Sequence, residues 1–121
     1  MVRQWYSNIW KEGKYIDLWS INHILGGMVL AGIFIFFNLS LTWALILGFL
    51  ITISYEIYEM LTDHFETPAN KILDILTSLL GVYLMYMLKD LNLLDFNAIF
   101  ASVFFIFLIL EVWGFLALAN R

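Results

Sequence analysis

Apolar residues run almost unbroken from Leu18 to Tyr55, with no Asp, Glu, Lys or Arg between them. A helix that crosses a bilayer needs about 20 mostly apolar residues, so this stretch predicts two spans. The polar residues of Asn38-Leu39-Ser40, after the aromatic run Phe34, Phe36, Phe37, mark the turn between them. The spans are placed at 18–37 and 41–61. A third is predicted over 68–88, because Thr67 suits a helix N-cap and Pro68 the first helical position. A polar stretch at 89–95 precedes a fourth span at 98–119. Short connections between long apolar helices favour neighbours that run in opposite directions. The expected fold is an all-α membrane protein: a four-transmembrane-helix antiparallel bundle in one domain of 1–121, preceded by an N-terminal interfacial aromatic segment, 1–17.

Composition strengthens that reading. Of 121 residues, 63% are hydrophobic and 13% charged, and a soluble domain of this size has too much surface to hide so much apolar side chain. The absence of cysteine excludes disulfides, thiolate metal ligands and cysteine nucleophiles. A net charge of −4 offers no basic surface, so nucleic acid is not an expected partner. Arg3, Lys11, Lys14, Lys71 and Arg121 fall on one side of the predicted spans and Lys89 on the other. By the positive-inside rule both termini face the cytoplasm, and the chain is expected in the cell (inner or plasma) membrane. Trp5, Tyr6, Trp10, Tyr15 and Trp19, interleaved with basic residues, suit the membrane interface. The first apolar run is too late and too long for a cleaved signal peptide and is expected to stay as a signal anchor.

Against this background the polar residues within the spans stand out, since an ionisable group in hydrocarbon costs about 2.5 kcal/mol or more. His23 lies early in the first span, Glu56 and Glu59 late in the second, Asn70 and Asp74 early in the third, and Glu111 late in the fourth. Helices that alternate in direction bring all of these to the same half of the membrane. At 100° per residue Thr52, Glu56, Glu59 and Asp63 share a stripe of about 60°. Asn70, Asp74, Thr77 and Gly81 share another, and Ser20, His23 and Gly27 a third. The small residues Gly27 and Ala31, or Gly48 and Thr52, would let backbones approach. Each residue also has a plainer role: Asp63 and His64 as solvated loop residues, Asp74 as a complement to the positive helix N-terminus, His23 as a satisfied packing residue. Glu111 has no polar companion on its own face, which leaves the Trp113 indole or a subunit partner. Met28, Met60, Met85 and Met87 read as packing residues.

Carboxylates, an imidazole and an amide make an oxygen- and nitrogen-rich set that suits Zn²⁺, Mn²⁺, Mg²⁺ or iron. The expected metal ligands are Glu56, Glu59, His23 and Asp74. Asp63, His64, Asn70, Thr77 and Glu111 are candidates for supporting, lipid or proton contacts. The same groups would also serve a proton relay or a cationic or hydroxyl-rich lipid headgroup. Two close carboxylates do not both stay ionised without a cation, a proton or a positive ligand. No nucleophile elbow, Walker loop, dinucleotide fingerprint or zinc-protease motif occurs.

His23 with Gly26-Gly27, Tyr55-Glu56-Ile57-Tyr58-Glu59, and Asn70 and Asp74 followed by Gly81 resemble the VanZ-like membrane proteins, particularly the YjdF-like branch, over about residues 17–82. Asn70 departs from the Asp expected there in that family. The resemblance implies an envelope- or lipid-related role, because VanZ is tied to glycopeptide tolerance, and it carries no agreed biochemical activity.

The leading expectation is a small membrane protein that binds a divalent metal ion or a polar lipid headgroup in a pocket on the cytoplasmic side. A metal-dependent enzyme acting on a lipid headgroup is one version of it. The alternatives are an accessory subunit of a larger membrane complex, and a proton or cation pathway in a homo-oligomer.

Overall fold

A computed structural model describes Trp10, residues 17–62 and residues 67–119, with the side chains of the last two left aside. The described residues form four helices: α1 Leu18–Phe36, α2 Leu41–Leu61, α3 Pro68–Leu91 and α4 Phe96–Ala119. Each is long and apolar enough to cross a membrane. Even the shortest, at 19 residues, spans about 28 Å, close to the hydrocarbon thickness of about 30 Å.

Local chemistry sets the boundaries. α1 opens on a capping box in which the Asp17 carboxylate accepts from the Ser20 backbone N–H at 3.1 Å and the Ser20 hydroxyl accepts from the Asp17 N–H at 3.2 Å. It ends where Asn38 adopts φ 58°, a left-handed conformation that Asn tolerates better than most residues. Ser40 caps α2. Thr67 caps α3 by accepting from the Asn70 N–H at 3.1 Å, with Pro68 in the first turn, as the sequence predicts. Two boundaries differ from expectation. α3 continues through Lys89 and Asp90 to Leu91 and stops at Asn92, which takes φ 53°, while Lys89 in the last turn complements the negative helix end. α4 begins earlier, at Phe96, because the Asp95 carbonyl accepts from the Ile99 N–H.

The most extensive interface joins α1 to α3, and these helices advance in the same direction. Asp17 meets Asn70, His23 meets Asp74 and Ser78, and Leu39 meets Tyr86. Two glycines make it possible. A Cβ on Gly27 would lie 2.0 Å from the Ser78 carbonyl oxygen, and one on Gly81 would lie 2.0 Å from the Ile24 carbonyl oxygen. Each backbone therefore occupies the space of the other's missing side chain. Without a hydrophobic driving force between helices in lipid, such close van der Waals contact is what holds them together. Beyond the seam Met28, Ala31, Phe34, Ile35, Val82 and Met85 form an apolar core. Met60 and Met87 are exposed and do not share the packing role expected of them.

α2 lies against α3, with Gly48 beside Val82 and Leu79. α4 runs opposite to α1, pairing Phe36 with Phe96 and Phe100 at one end and Trp19 with Phe115 at the other. α4 makes at most marginal contact with α2 or α3. Of the expected interfacial segment 1–17, only Trp10 and Asp17 are described. Trp10 is fully buried, edge-on to Trp19 and Trp113, and its carbonyl accepts from the Trp19 indole N–H at 2.9 Å. The large side chains Phe37, Leu61 and Phe105 face outward, an arrangement that lipid tolerates and water does not.

The seam predicts that Gly27→Ala and Gly81→Ala each destabilise the helical core by about 1–3 kcal/mol, the usual cost of overpacking. The expected readout is an earlier unfolding midpoint when detergent-solubilised protein is titrated with SDS and followed by circular dichroism. Gly48→Ala, whose Cβ would meet Val82 and Leu79 at 3.4 and 3.7 Å, leaves stability unchanged or raises it by up to about 1 kcal/mol.

Candidate functional site

One turn before the glycine seam, α1 and α3 bring His23 against two polar side chains. Its Nε2 lies 3.4 Å from Asp74 Oδ2 and its Nδ1 lies 3.4 Å from the Ser78 hydroxyl. From α2, Glu56 completes the group: one ligand atom from each of His23, Glu56 and Asp74 lies within 4.8 Å of the others. Three of the four expected metal ligands therefore converge. They come from three different helices, so their proximity depends on packing and not on local spacing.

The group is buried, with Glu56 5% and Asp74 2% exposed. Both Glu56 carboxylate oxygens and Asp74 Oδ1 lack a hydrogen-bond partner among the described residues. Buried carboxylate oxygens without donors are costly in any low-dielectric setting, and a bound cation satisfies such oxygens directly. Metal–ligand bonds of about 2.0–2.2 Å hold two ligands of one ion no more than about 4.4 Å apart. The ligand atoms of this group, within 4.8 Å of one another, are spaced close to that limit.

Glu59, expected as the fourth ligand, is buried but stands apart from this group. It lines a cavity of about 470 Å³ together with Asn22, His23, Asp74 and Glu111. Glu111 does not pair with Trp113; Asn22 Nδ2 donates to its Oε1 at 2.5 Å. Asn22 is not ionisable and shares no helix with Glu111, so helical spacing does not join the two; it lies on α1 beside His23. The sequence signal was present, since Asn22 is an amide in an otherwise apolar stretch. Ser78 holds the second imidazole nitrogen, on a face the sequence reading gave to Thr77. Thr77 instead bonds the Leu73 and Asp74 carbonyls of its own helix at 2.8 and 3.0 Å. Asn70 serves the start of α3, where its Nδ2 donates to Asp17 Oδ2 at 3.1 Å. Asp63 and His64 lie outside the described residues.

Comparison with known protein families, with characterised proteins and with solved structures finds no match for this chain.

The link between Asn22 and Glu111 ties α4 to the site. A double-mutant cycle with Asn22→Ala and Glu111→Ala is expected to give a coupling energy of about 0.6–1.7 kcal/mol, the range of interhelical hydrogen bonds measured in membranes. The same SDS titration measures it, and simple additivity of the two substitutions would remove the link.

Proposed function

We propose that this chain is an integral membrane protein that holds a divalent metal ion on His23, Glu56 and Asp74, next to a cleft that receives a polar lipid headgroup. The observation that carries the reading is the convergence of an imidazole and two buried carboxylates, three of whose four carboxylate oxygens lack a hydrogen-bond partner among the described residues. The donor set is nitrogen and oxygen without sulfur, which favours Zn²⁺, Mn²⁺ or Fe²⁺ over soft metals, with Mg²⁺ less suited to an imidazole. Three protein ligands leave coordination positions open, as exchangeable and catalytic metal sites require. Because His23 and Asp74 also line the cavity, a headgroup in it lies beside the ion. In an enzymatic version His23, Glu56 and Asp74 would hold the ion, which would supply an activated water for hydrolysis of a headgroup ester.

The helices are arranged as an antiparallel bundle with both termini at the cytoplasmic face of the cell membrane, as the distribution of Lys and Arg favours. An envelope- or lipid-related role agrees with the resemblance of the first three helices to VanZ-like proteins. Conduction by a single copy has less support, since the far half of the core consists of residues such as Met28, Phe34, Val82 and Met85. Service as a subunit of a larger complex draws on the outward face of α4, where Phe105, Val112 and Phe115 are exposed. A discrete larger assembly in native mass spectra from mild detergent would favour that second reading.

Elemental analysis of protein purified without chelator is expected to find about one transition-metal ion per chain. Glu56→Gln, Asp74→Asn and His23→Ala should each lower occupancy about tenfold or more, the outer-shell range being a lower bound for loss of a direct ligand. Glu59→Gln should retain the metal. Metal at about 100 times its Kd should raise stability by about 2.7 kcal/mol. A wild-type chain that takes up no ion even after reconstitution with Zn²⁺, Mn²⁺ and Fe²⁺ overturns the metal assignment.

A further inference from the structure

The cavity has a shape and a polarity gradient that the metal centre does not use. Its floor is α1, one wall is α2 and the other is α4, and these two walls make at most marginal contact with each other. The gap between α2 and α4 therefore opens sideways, toward the space the acyl chains of a bilayer occupy.

Polarity changes along the cleft. At the level of Asn22 it meets Glu59, Asp74 and Glu111, with Tyr55 facing His23 at a ring distance of 6.3 Å. One to two turns deeper, toward the middle of the span, the lining becomes apolar: Val29 and Leu30 from α1, Ile51 from α2 and Phe107 from α4. Gly26 keeps this part open, since a Cβ there would lie 3.2 Å from the Phe107 ring. A lipid of the leaflet beside the start of α1 has the same orientation, with its head near the membrane surface and its chain pointing to the centre.

The polar end also carries a sign. Among the described residues Glu59, Asp74 and Glu111 line it, and no Lys or Arg does. Asn22 Oδ1, Glu59 Oε2 and Asp74 Oδ1 are buried acceptors without a donor among the described residues. Such a set takes hydrogen-bond donors, and a positively charged donor satisfies both the geometry and the charge. A phosphate or carboxylate head on Glu59 and Glu111 themselves would meet repulsion. The volume of about 470 Å³ falls in the range of about 300–1,000 Å³ for sites that hold one small molecule, which suits one chain and a compact head.

We propose that the cleft between α2 and α4 binds a single-chain amphiphile with an ammonium head, admitted sideways from the bilayer, its head on Glu59, Glu111 and Asn22 and its chain between Ile51 and Phe107. This rests on the membrane placement and headgroup cleft described under the proposed function, and not on the metal ion.

The test uses the full chain in phosphatidylcholine nanodiscs and a hexadecylamine that carries a photoreactive diazirine at mid-chain. Labelling is expected on the α2 and α4 segments around Ile51 and Phe107, competed by excess hexadecylamine and not by palmitate. The double variant Glu59→Gln, Glu111→Gln, which removes both charge-assisted contacts, should weaken competition by about tenfold or more. Ile51→Trp, which fills a wall that is 44% exposed and keeps every carboxylate, should reduce labelling even where the double variant does not fold. Equal competition by palmitate overturns the ammonium assignment. Labelling spread over the outward faces of all four helices, or unchanged by Ile51→Trp, overturns the cleft. Labelling that survives EDTA supports a head held by the carboxylates themselves. Labelling lost with EDTA, and restored by Zn²⁺, means that the head depends on the ion and overturns the direct contact. A chain that holds no metal at all but labels as described leaves this proposal standing while the metal assignment falls.

Discussion

The contacts of His23 with Asp74 and Ser78 depend on how closely α1 and α3 approach. At Gly27 and Gly81 each backbone carbonyl partner lies where a Cβ would be, so the two helix axes come nearer than any pair of side-chain-bearing residues would permit. That approach brings the imidazole of His23 to Asp74 and Ser78. A Cβ on either glycine would lie 2.0 Å from a backbone oxygen of the other helix, so an alanine there forces the backbones to shift beside these contacts. The seam thus fixes the site geometrically while contributing its own dispersion energy, which in lipid replaces the hydrophobic effect as the source of helix association.

The electrostatics run the other way. Burying two carboxylates and an imidazole costs free energy that packing must offset. The structure limits that cost by keeping the acids in one half of the span, near the ends of α2 and α4 and the start of α3, and leaving the other half apolar. Where a carboxylate can be satisfied within the protein it is: Glu111 receives the Asn22 amide. Glu56 has no such donor among the described residues, although the chain supplies amides and hydroxyls to other helices nearby. Glu111 is thus tied through one oxygen to a neighbouring helix while it still lines the cavity, whereas Glu56 has a partner on neither oxygen among the described residues.

Much of this was legible in the sequence because it follows from local chemistry. The Asn38 turn, the Thr67–Pro68 start of α3 and the shared depth of His23, Glu56 and Asp74 can all be read from residue types and a helical period. The extension of α3 to Leu91 was less legible, since Lys89 and Asp90 resemble loop residues until the left-handed Asn92 supplies a better stop. Pairing between helices was hardest. Short connections suggest that sequential helices are the closest neighbours, yet α3 and α4, joined by a short turn, barely touch, and the dominant contact joins α1 to α3. Small residues made that choice: Gly27, which the sequence marks as a point of close approach, meets the Ser78 backbone, and Gly81 on the facing helix meets that of Ile24. Asn22 and Glu111 were separately visible, but nothing in a single sequence ties two isolated polar residues on different helices to each other.

The same packing explains why the site has two parts. Because α1 is occupied on one side by α3 and on the other by α4, and because α4 leaves α2 alone, the space beside His23 is closed toward α3 and open toward the gap between α2 and α4. Glu56 and Glu59 sit three residues apart on α2, so one turns toward the closed side and joins His23 and Asp74, while the other turns toward the open side and lines the cleft. A pair of carboxylates that the helical period groups on one stripe is divided by its neighbours into two chemical settings. In one, ligand atoms from three helices lie within 4.8 Å of one another. In the other, Glu59 lines a cavity whose far end is walled by apolar residues such as Val29, Ile51 and Phe107.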